Sequence, residues 1–135
     1  MNLDRTPVDV ATKGMIGITL AWAVGHALNL PLRITYDPVS DVLELFEVRD
    51  CKLLPFSPQD DWSQCGPLVD EYQVSLGCSN HGLAASGAPM RSWAQLNGRS
   101  EVMGGDTTPE AVCRAVVQAL SGDIVKVPAF LVLPS

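Results

Sequence analysis

The sequence predicts an α+β fold in which a mainly antiparallel sheet is packed by an N-terminal and a C-terminal helix. Three observations predict it: two stretches with the apolar spacing of amphipathic helices, two pairs of β-forming segments joined by turn sequences, and the position of the helices on either side of these pairs. We expect the apolar stripes of both helices to face the sheet. A length of 135 residues fits one domain over residues 1–135.

The chain is predicted to start with a loose segment followed by a helix. Residues 1–13 are polar, include Pro7 and show no apolar period, so we expect a loose lead-in. From Ile16 the apolar residues step by three or four, as on one face of a helix. Pro31 ends this helix because the residue before a proline is pushed out of the helical region.

Two hairpins are predicted from alternating or β-rich segments that flank turns. The first joins residues 32–36 to residues 42–48, and the second joins residues 91–96 to residues 100–103 through Asn97-Gly98. Both are local antiparallel pairs, so the sheet is expected to be mainly antiparallel.

Between the hairpins we expect a short helix, a strand and a loop. Ser57 is expected to cap the helix, Pro58 suits its first position, and Gly66-Pro67 is expected to break it after about two turns. Residues 73–76 are extended, and the Gly- and Ser-rich residues 77–89 predict a flexible loop.

The last part of the chain carries the strongest helix signals. Thr107 and Glu110 form a Thr-x-x-Glu capping box, an apolar face follows, and Gly122 supplies the C-terminal cap. Residues 124–127 are predicted to be extended. The apolar tail over residues 128–135 predicts self-association into a homo-oligomer.

Composition excludes some classes of partner. Nine Lys and Arg against fifteen Asp and Glu give a net charge of -6, and no basic stripe is present, so we expect no nucleic-acid partner. The apolar stretch Met15–Leu28 is shorter than the about 20 residues needed to span a bilayer, so we expect no membrane partner. The first residues lack the pattern of a secretory signal, which favours a cytoplasmic location.

The four cysteines predict neither a metal site nor disulfides. Cys51, Cys65, Cys78 and Cys113 follow one another at intervals of 14, 13 and 35 positions, which lack metal-ligand spacing. We expect four reduced thiols, no metal and no cofactor. A Cys78–His81 pair is the one nucleophile arrangement considered, and it has no recognisable orienting carboxylate nearby.

Aromatic residues near arginines are the candidate binding residues, because such side chains are typical of surfaces that bind proteins or flat ligands. A core position is the alternative for the tryptophans. No catalytic residue is predicted. The candidate ligand- or partner-binding residues are Asp61, Trp62, Tyr72, Arg91, Trp93 and Arg114.

Several segments resemble the NinX-like family of small phage and prophage proteins. They are residues 20–24, 57–62, 66–69, 72–76, 93–94, 108–115, 122–123 and 127–128. The Asp61-Trp62 and Pro-x-Ala-x-Cys-Arg-Ala pieces are moderately specific together, and the last helix is also similar to that of phage alpha-beta-alpha sandwich domains. The resemblance covers roughly residues 16–128. Two features depart from it: the tail is more apolar than the acidic ending of such proteins, and residues 77–89 have no counterpart.

The resemblance implies a phage or prophage origin and action in the host cytoplasm, and it carries over no catalytic residue. Our leading hypothesis is a non-enzymatic accessory protein that binds a host protein in takeover or anti-defence. The alternative is a binder of a small molecule or nucleotide signal, with a base stacked on Trp62 or Trp93 and phosphate held by Arg91 or Arg114. A metal-dependent or cysteine enzyme is the third hypothesis.

Overall fold

The computed structural model describes residues 3–83 and 89–132, and their side chains apart from those of residues 79–83, 89 and 90. Short 3-10 turns lie at Thr12–Gly14 and Ala129–Leu131. The helices and strands follow the order β1 (Pro7–Ala11), α1 (Gly17–Ala27), β2 (Leu32–Asp37), β3 (Val42–Arg49), β4 (Lys52–Pro55), α2 (Trp62–Tyr72), β5 (Val74–Leu83), β6 (Pro89–Leu96), β7 (Met103–Gly105), α3 (Thr108–Ser121) and β8 (Ile124–Pro128).

All described strand pairs are antiparallel, and the α+β prediction is confirmed. The strands of the described chain form three small sheets, β1-β8, β2-β3-β4 and β5-β6-β7, where the sequence predicted one. The first predicted hairpin is present as β2-β3. The second is present as β6-β7, but β7 spans Met103–Gly105 rather than residues 100–103, and Ala94 pairs with Met103 across a connection longer than the tight Asn97-Gly98 turn predicted. Within β2-β3-β4 and β5-β6-β7 each strand pairs with a neighbour in the chain, and α2 lies between these two groups, whereas β1 and β8 pair from opposite ends of the described chain.

Helix α1 covers one face of the β2-β3-β4 sheet. Leu32, Ile34 and Leu45 belong to that face and join the hydrophobic core. At Gly25 the helix comes so close that a Cβ atom would lie 2.7 Å from Leu32 Cδ1. Because side chains alternate along a strand, Phe46 and its neighbours at every second position lie on the opposite face.

Helix α3 runs through the centre of the molecule, in contact with α1, α2 and the β5-β6-β7 sheet. Val112, Cys113 and Val116 are fully buried on it. Thr107 is the N-cap as predicted, since its Oγ1 accepts a hydrogen bond of 3.3 Å from the Glu110 amide. The return bond differs from a capping box, because Glu110 Oε1 accepts from the Asp106 amide, at 3.3 Å. Gly122 caps the C-terminus with a φ of 94°, which suits glycine.

The predicted loose lead-in is instead an ordered strand. β1 pairs with β8 from Pro7 opposite Pro128 to Ala11 opposite Ile124. The Thr12 hydroxyl donates a hydrogen bond of 2.7 Å to the carbonyl oxygen of Gly122. A pairing across more than 110 positions leaves no local period in the sequence, which is why residues 1–13 seemed unstructured.

The start of the apolar tail packs within its own chain. Ala129 and Leu131 are buried, and the Leu131 carbonyl accepts a hydrogen bond of 3.1 Å from Thr19 Oγ1 on α1. Arg5 lies over the Phe130 ring at 5.6 Å from its centroid. The described part of the tail therefore has partners in the molecule, and residues 133–135 lie outside the described residues.

Helix α2 begins later and ends later than predicted. Asp61, rather than Ser57, is the N-cap, and its carboxylate accepts a hydrogen bond of 2.9 Å from the Ser63 amide. Pro67 lies inside the helix instead of breaking it. Because Cys65 and Leu68 are buried against the rest of the core, tertiary contacts offset the hydrogen bond that a proline removes.

The structure differs from the predicted loop over residues 77–89. Gly77 to Leu83 continue β5, and Pro89 begins β6. Residues 84–88 lie outside the described residues. Gly77 pairs with Trp93, and the missing side chain of the glycine leaves room for the indole, so a glycine that seemed to indicate a loop serves a strand.

Candidate functional site

An apolar groove of about 400 Å³ lies between the C-terminal end of α1, strands β3 and β4, and the first turns of α2. We call it the α1–α2 groove. Its apolar lining residues include Leu28, Leu30, Leu54, Phe56 and Leu68, and its polar lining residues are Glu47, Arg49, Ser63 and Gln64. Grooves with an apolar lining and a few polar groups are the usual form of binding sites.

Gln64 fixes the position of α2 relative to the end of β4. Its Nε2 donates a hydrogen bond of 3.1 Å to the Pro55 carbonyl, and its Oε1 accepts one of 2.9 Å from the Ser57 amide. These two bonds connect α2, on one side of the α1–α2 groove, to the backbone of Pro55 and Ser57, at and just after the end of β4. The position of α2 relative to the end of β4 is therefore set by hydrogen bonds within the chain.

The polar rim of the groove carries a salt bridge. Arg49 Nη2 lies 2.9 Å from Glu47 Oε1, and the Arg49 side chain is 63% exposed. The Glu47 side chain is 12% exposed, so Arg49 is the accessible member of the pair. Its guanidinium is accessible to a carboxylate or a carbonyl oxygen on a partner.

Asp61 and Trp62 lie at the start of α2, and only Trp62 has a free surface. The Asp61 carboxylate is taken up by hydrogen bonds, and the bond from the Ser63 hydroxyl is the main reason that the pKa of Asp61 lies below its usual value. Trp62 is 52% exposed. Its backbone belongs to the same helical turn as Ser63 and Gln64 of the groove, although Trp62 itself is not one of the residues that line the groove.

Tyr72 does not join Trp62. It lies at the opposite end of α2, partly buried against the core. Ten residues at a rise of about 1.5 Å per residue separate the two backbone positions by about 15 Å. One ligand of ordinary size does not contact both rings.

Arg91 and Trp93 lie together on β6, away from α2. They are two positions apart and therefore share one face of the β5-β6-β7 sheet, while Ser92 and Ala94 are buried on the other. A Cβ on Gly77 would lie 2.8 Å from Trp93 Nε1, so the indole lies across the glycine. Trp93 thus has a structural role, and Arg91 is exposed beside it.

Arg114 is a core residue rather than a surface binding group. It is 8% exposed, and its Nε donates a hydrogen bond of 2.9 Å to the Met15 carbonyl. Its Nη1 donates one of 2.7 Å to the Gly104 carbonyl, and its Nη2 lies 3.0 Å from Glu110 Oε1. With these bonds made inside the chain, Arg114 has no free face for a phosphate group.

The four cysteines are free thiols, as expected. Cys65 on α2 and Cys113 on α3 are buried, and the neighbouring Cys65 thiol together with burial raises the pKa of Cys113 above its usual value. Cys51 and Cys78 are exposed. In the described part of the chain no group of three or more His, Cys, Asp or Glu is arranged to hold a metal ion. The side chain of His81, the predicted partner of Cys78, lies outside the description.

The sequence model of the family described as Bacteriophage P22, NinX matches residues 11–119, which is most of the chain. The chain belongs to the NinX family. The matched part of this NinX-family protein contains the α1–α2 groove and all six predicted site residues, whereas β8 lies beyond it. Among curated proteins, no match was found. Over residues 3–83 and 89–132, no helix is long and apolar enough to cross a membrane.

Sequence reasoning missed the groove itself. Leu54 and Arg49 were not singled out, because they lie in a short strand and next to a turn with no distinctive motif. The one available signal is the Leu53-Leu54 pair, in which adjacent residues of a strand must face opposite sides. That alternation places one leucine in the groove and the other on the outer face of the sheet, where it is also exposed.

Proposed function

We propose that this NinX-family protein is a phage accessory protein that binds a host protein through the α1–α2 groove. The observation that carries the proposal is the groove itself: its lining is mainly apolar, and Leu54 in it is 39% exposed. A site of this size accepts one or two apolar side chains, which is how buried anchor residues bind in protein interfaces. Trp62, 52% exposed on the adjoining turn, extends the apolar surface.

Charge supports a basic partner. The chain carries a net charge of -6, and the acidic excess favours approach by a positively charged protein surface. On the rim, Arg49 is the accessible charge, because its side chain is 63% exposed and that of Glu47 is 12% exposed. The proposed partner therefore presents an apolar anchor with a carboxylate or carbonyl oxygen for Arg49, on a surface that is otherwise basic.

The test compares affinity capture from host lysate by the wild-type protein, by Leu54→Glu and by Val39→Glu. Val39 is 94% exposed in the loop between β2 and β3, at the other end of that sheet, so its variant controls for the added charge. We expect a host protein that is retained by wild type and Val39→Glu and lost with Leu54→Glu. Retention of every captured protein by Leu54→Glu, folded as judged by circular dichroism, would contradict the proposal.

A second variant extends the test to the exposed aromatic residue. Trp62→Ala removes the indole from the surface while Asp61 still caps the helix, so the fold is expected to persist. If Trp62 is part of the binding surface, the variant weakens capture of the same host protein by tenfold or more, as is typical of an interfacial tryptophan. Unchanged capture restricts the binding surface to the groove.

A nucleotide-type ligand is the second candidate, supported by the shared face of Arg91 and Trp93. Arg114 does not contribute to it, because its donors are used in the core. If this candidate holds, a nucleotide at millimolar concentration raises the unfolding temperature of wild type but not of Arg91→Ala. The absence of any shift with wild type would eliminate it.

A further inference from the structure

The outer face of the β2-β3-β4 sheet, on the side opposite α1, carries an apolar stripe. The register places Phe46 opposite Pro55 and Val48 opposite Leu53, and these four side chains alternate with those that face the core. Leu53 is 42% exposed, and Val42 at the start of β3 is 43% exposed. A sheet face with several half-exposed apolar residues is typical of an interaction surface.

Two opposite charges flank this stripe. The register places Arg33 of β2 opposite Phe46 and Thr35 opposite Glu44 of β3, so all four share the outer face. Among the described residues, neither Arg33 nor Glu44 forms a salt bridge within the chain. Both are exposed.

This arrangement is complementary to itself. Phe46 and Thr35 each lie about 5 Å from one of the two charged residues across the strands and about 7 Å from the other along the same strand. When two sheets meet face to face about a twofold axis along the Thr35–Phe46 diagonal, Arg33 of each copy lies over Glu44 of the other. An isologous interface needs this kind of self-matching surface.

We propose that the protein forms a homodimer in which the outer faces of two β2-β3-β4 sheets pack together, with Phe46 near the twofold axis and Arg33 paired with Glu44 of the second copy. The proposal does not rest on the α1–α2 groove: of the apolar residues named for the outer face, Pro55 alone also lines the groove. It also differs from dimerisation through the tail, because Ala129 and Leu131 are buried in their own chain.

The size of the face sets the strength of the dimer. Three strands about 4.8 Å apart and about six residues long span about 300 Å² in projection, well below the roughly 800 Å² per partner of a stable interface. The dimer is therefore weak and depends on concentration.

The test is sedimentation velocity from about 10 μM to about 1 mM, the range in which a weak dimer forms. We expect the average mass of the wild type to rise from 14.5 kDa towards twice that value. Arg33→Glu should abolish the rise, because it places carboxylates of the two copies against each other, and Leu53→Glu should do the same. Arg99→Glu, an exposed change of equal charge outside the face, should leave the rise intact.

The decisive comparison is between the single variants of Arg33 and Glu44 and the double variant that exchanges their charges. Arg33→Glu and Glu44→Arg each place like charges over one another, and the double variant restores opposite charges, so it should recover the wild-type rise in mass. A wild type that stays at 14.5 kDa over the whole range would overturn the proposal. The proposal would also be overturned if the average mass of Arg33→Glu and of Leu53→Glu rose as much as that of Arg99→Glu.

Discussion

Arg114 on α3 donates a hydrogen bond of 2.9 Å to the carbonyl oxygen of Met15, 99 positions earlier in the chain. Met15 lies just before α1, so the bond joins the start of the first long helix to the middle of the last one. The same guanidinium also bonds the Gly104 carbonyl of β7. The buried Arg114 side chain thus connects α3 to the start of α1 and to the β5-β6-β7 sheet.

Replacing Arg114 by Met should destabilise the protein by about 2–4 kcal/mol, because two buried carbonyl oxygens and the Glu110 carboxylate lose their donor. Urea unfolding followed by circular dichroism measures the change. Arg99→Met, at an exposed position, is the matched control and should cost less than about 0.5 kcal/mol. Equal midpoints for the two variants would show that the Arg114 bonds do not stabilise the fold.

Asp61→Asn should reduce the loss of folding stability that occurs as the pH falls into the acid range. Hydrogen bonds from Ser63 hold the pKa of Asp61 below its usual value in the folded protein. The stability that this group contributes is therefore present above its unfolded pKa of about 4 and is lost as pH falls through the lower folded pKa.

Asparagine still caps a helix but does not titrate. We therefore expect the unfolding midpoint of wild type to fall more than that of Asp61→Asn between about pH 5 and about pH 2. Titration of the other carboxyl groups is common to both proteins and cancels in the comparison. Parallel pH profiles would mean that Asp61 does not contribute through its charge.

Gly77→Ala and Gly14→Ala should have opposite effects. A Cβ on Gly77 would lie 2.8–2.9 Å from three atoms of the rigid Trp93 indole, so we expect a loss of about 1–3 kcal/mol and a change in tryptophan fluorescence. A Cβ on the exposed Gly14 would meet no atom within 4 Å beyond its chain neighbours, and the φ of Gly14 is not positive. That variant should gain about 0.4–1 kcal/mol, because alanine lowers the conformational entropy of the unfolded chain. Thermal unfolding of the two variants measures both changes in stability. A Gly77→Ala variant more stable than wild type would contradict the close contact with the Trp93 indole.

Two of the four thiols should react with DTNB in the native protein. Cys51 and Cys78 are exposed, whereas Cys65 and Cys113 are buried, and the raised pKa of Cys113 further lowers its thiolate fraction. A Cys51→Ser/Cys78→Ser variant should therefore show no fast-reacting thiol until urea unfolds it. Fast labelling of that variant would indicate that α2 separates from α3 in the native state.

The elements that local sequence could predict are those stabilised by local rules. The stripe of α3, its Thr107 cap and the Gly122 end were correct because helix period and capping act within a few residues. The β3-β4 hairpin escaped prediction, since its turn residues Asp50 and Cys51 have φ values of 52° and 61° without any glycine. Here the pairing of two strands offsets the strain of the turn.

The candidate site likewise contains residues that local sequence identifies and residues that only the tertiary fold brings together. Trp62 was found because an aromatic residue stands out in sequence, and the structure places it on the surface. The burial of Arg114 depends on Met15 and Gly104, which are distant in sequence and carry no motif. The α1–α2 groove combines residues from Leu28 to Leu68 that only the tertiary fold brings together.

The pairing of β1 with β8 has a consequence for how the chain matures. Strand β1 cannot form its sheet when it leaves the ribosome, because its partner β8 is translated more than 110 positions later. Until then, Val8 and Val10 remain exposed to chaperones, and Thr12 lacks the Gly122 carbonyl to which it donates. The nascent protein is thus expected to acquire its full resistance to proteases only after β8 has left the ribosome, in one late step.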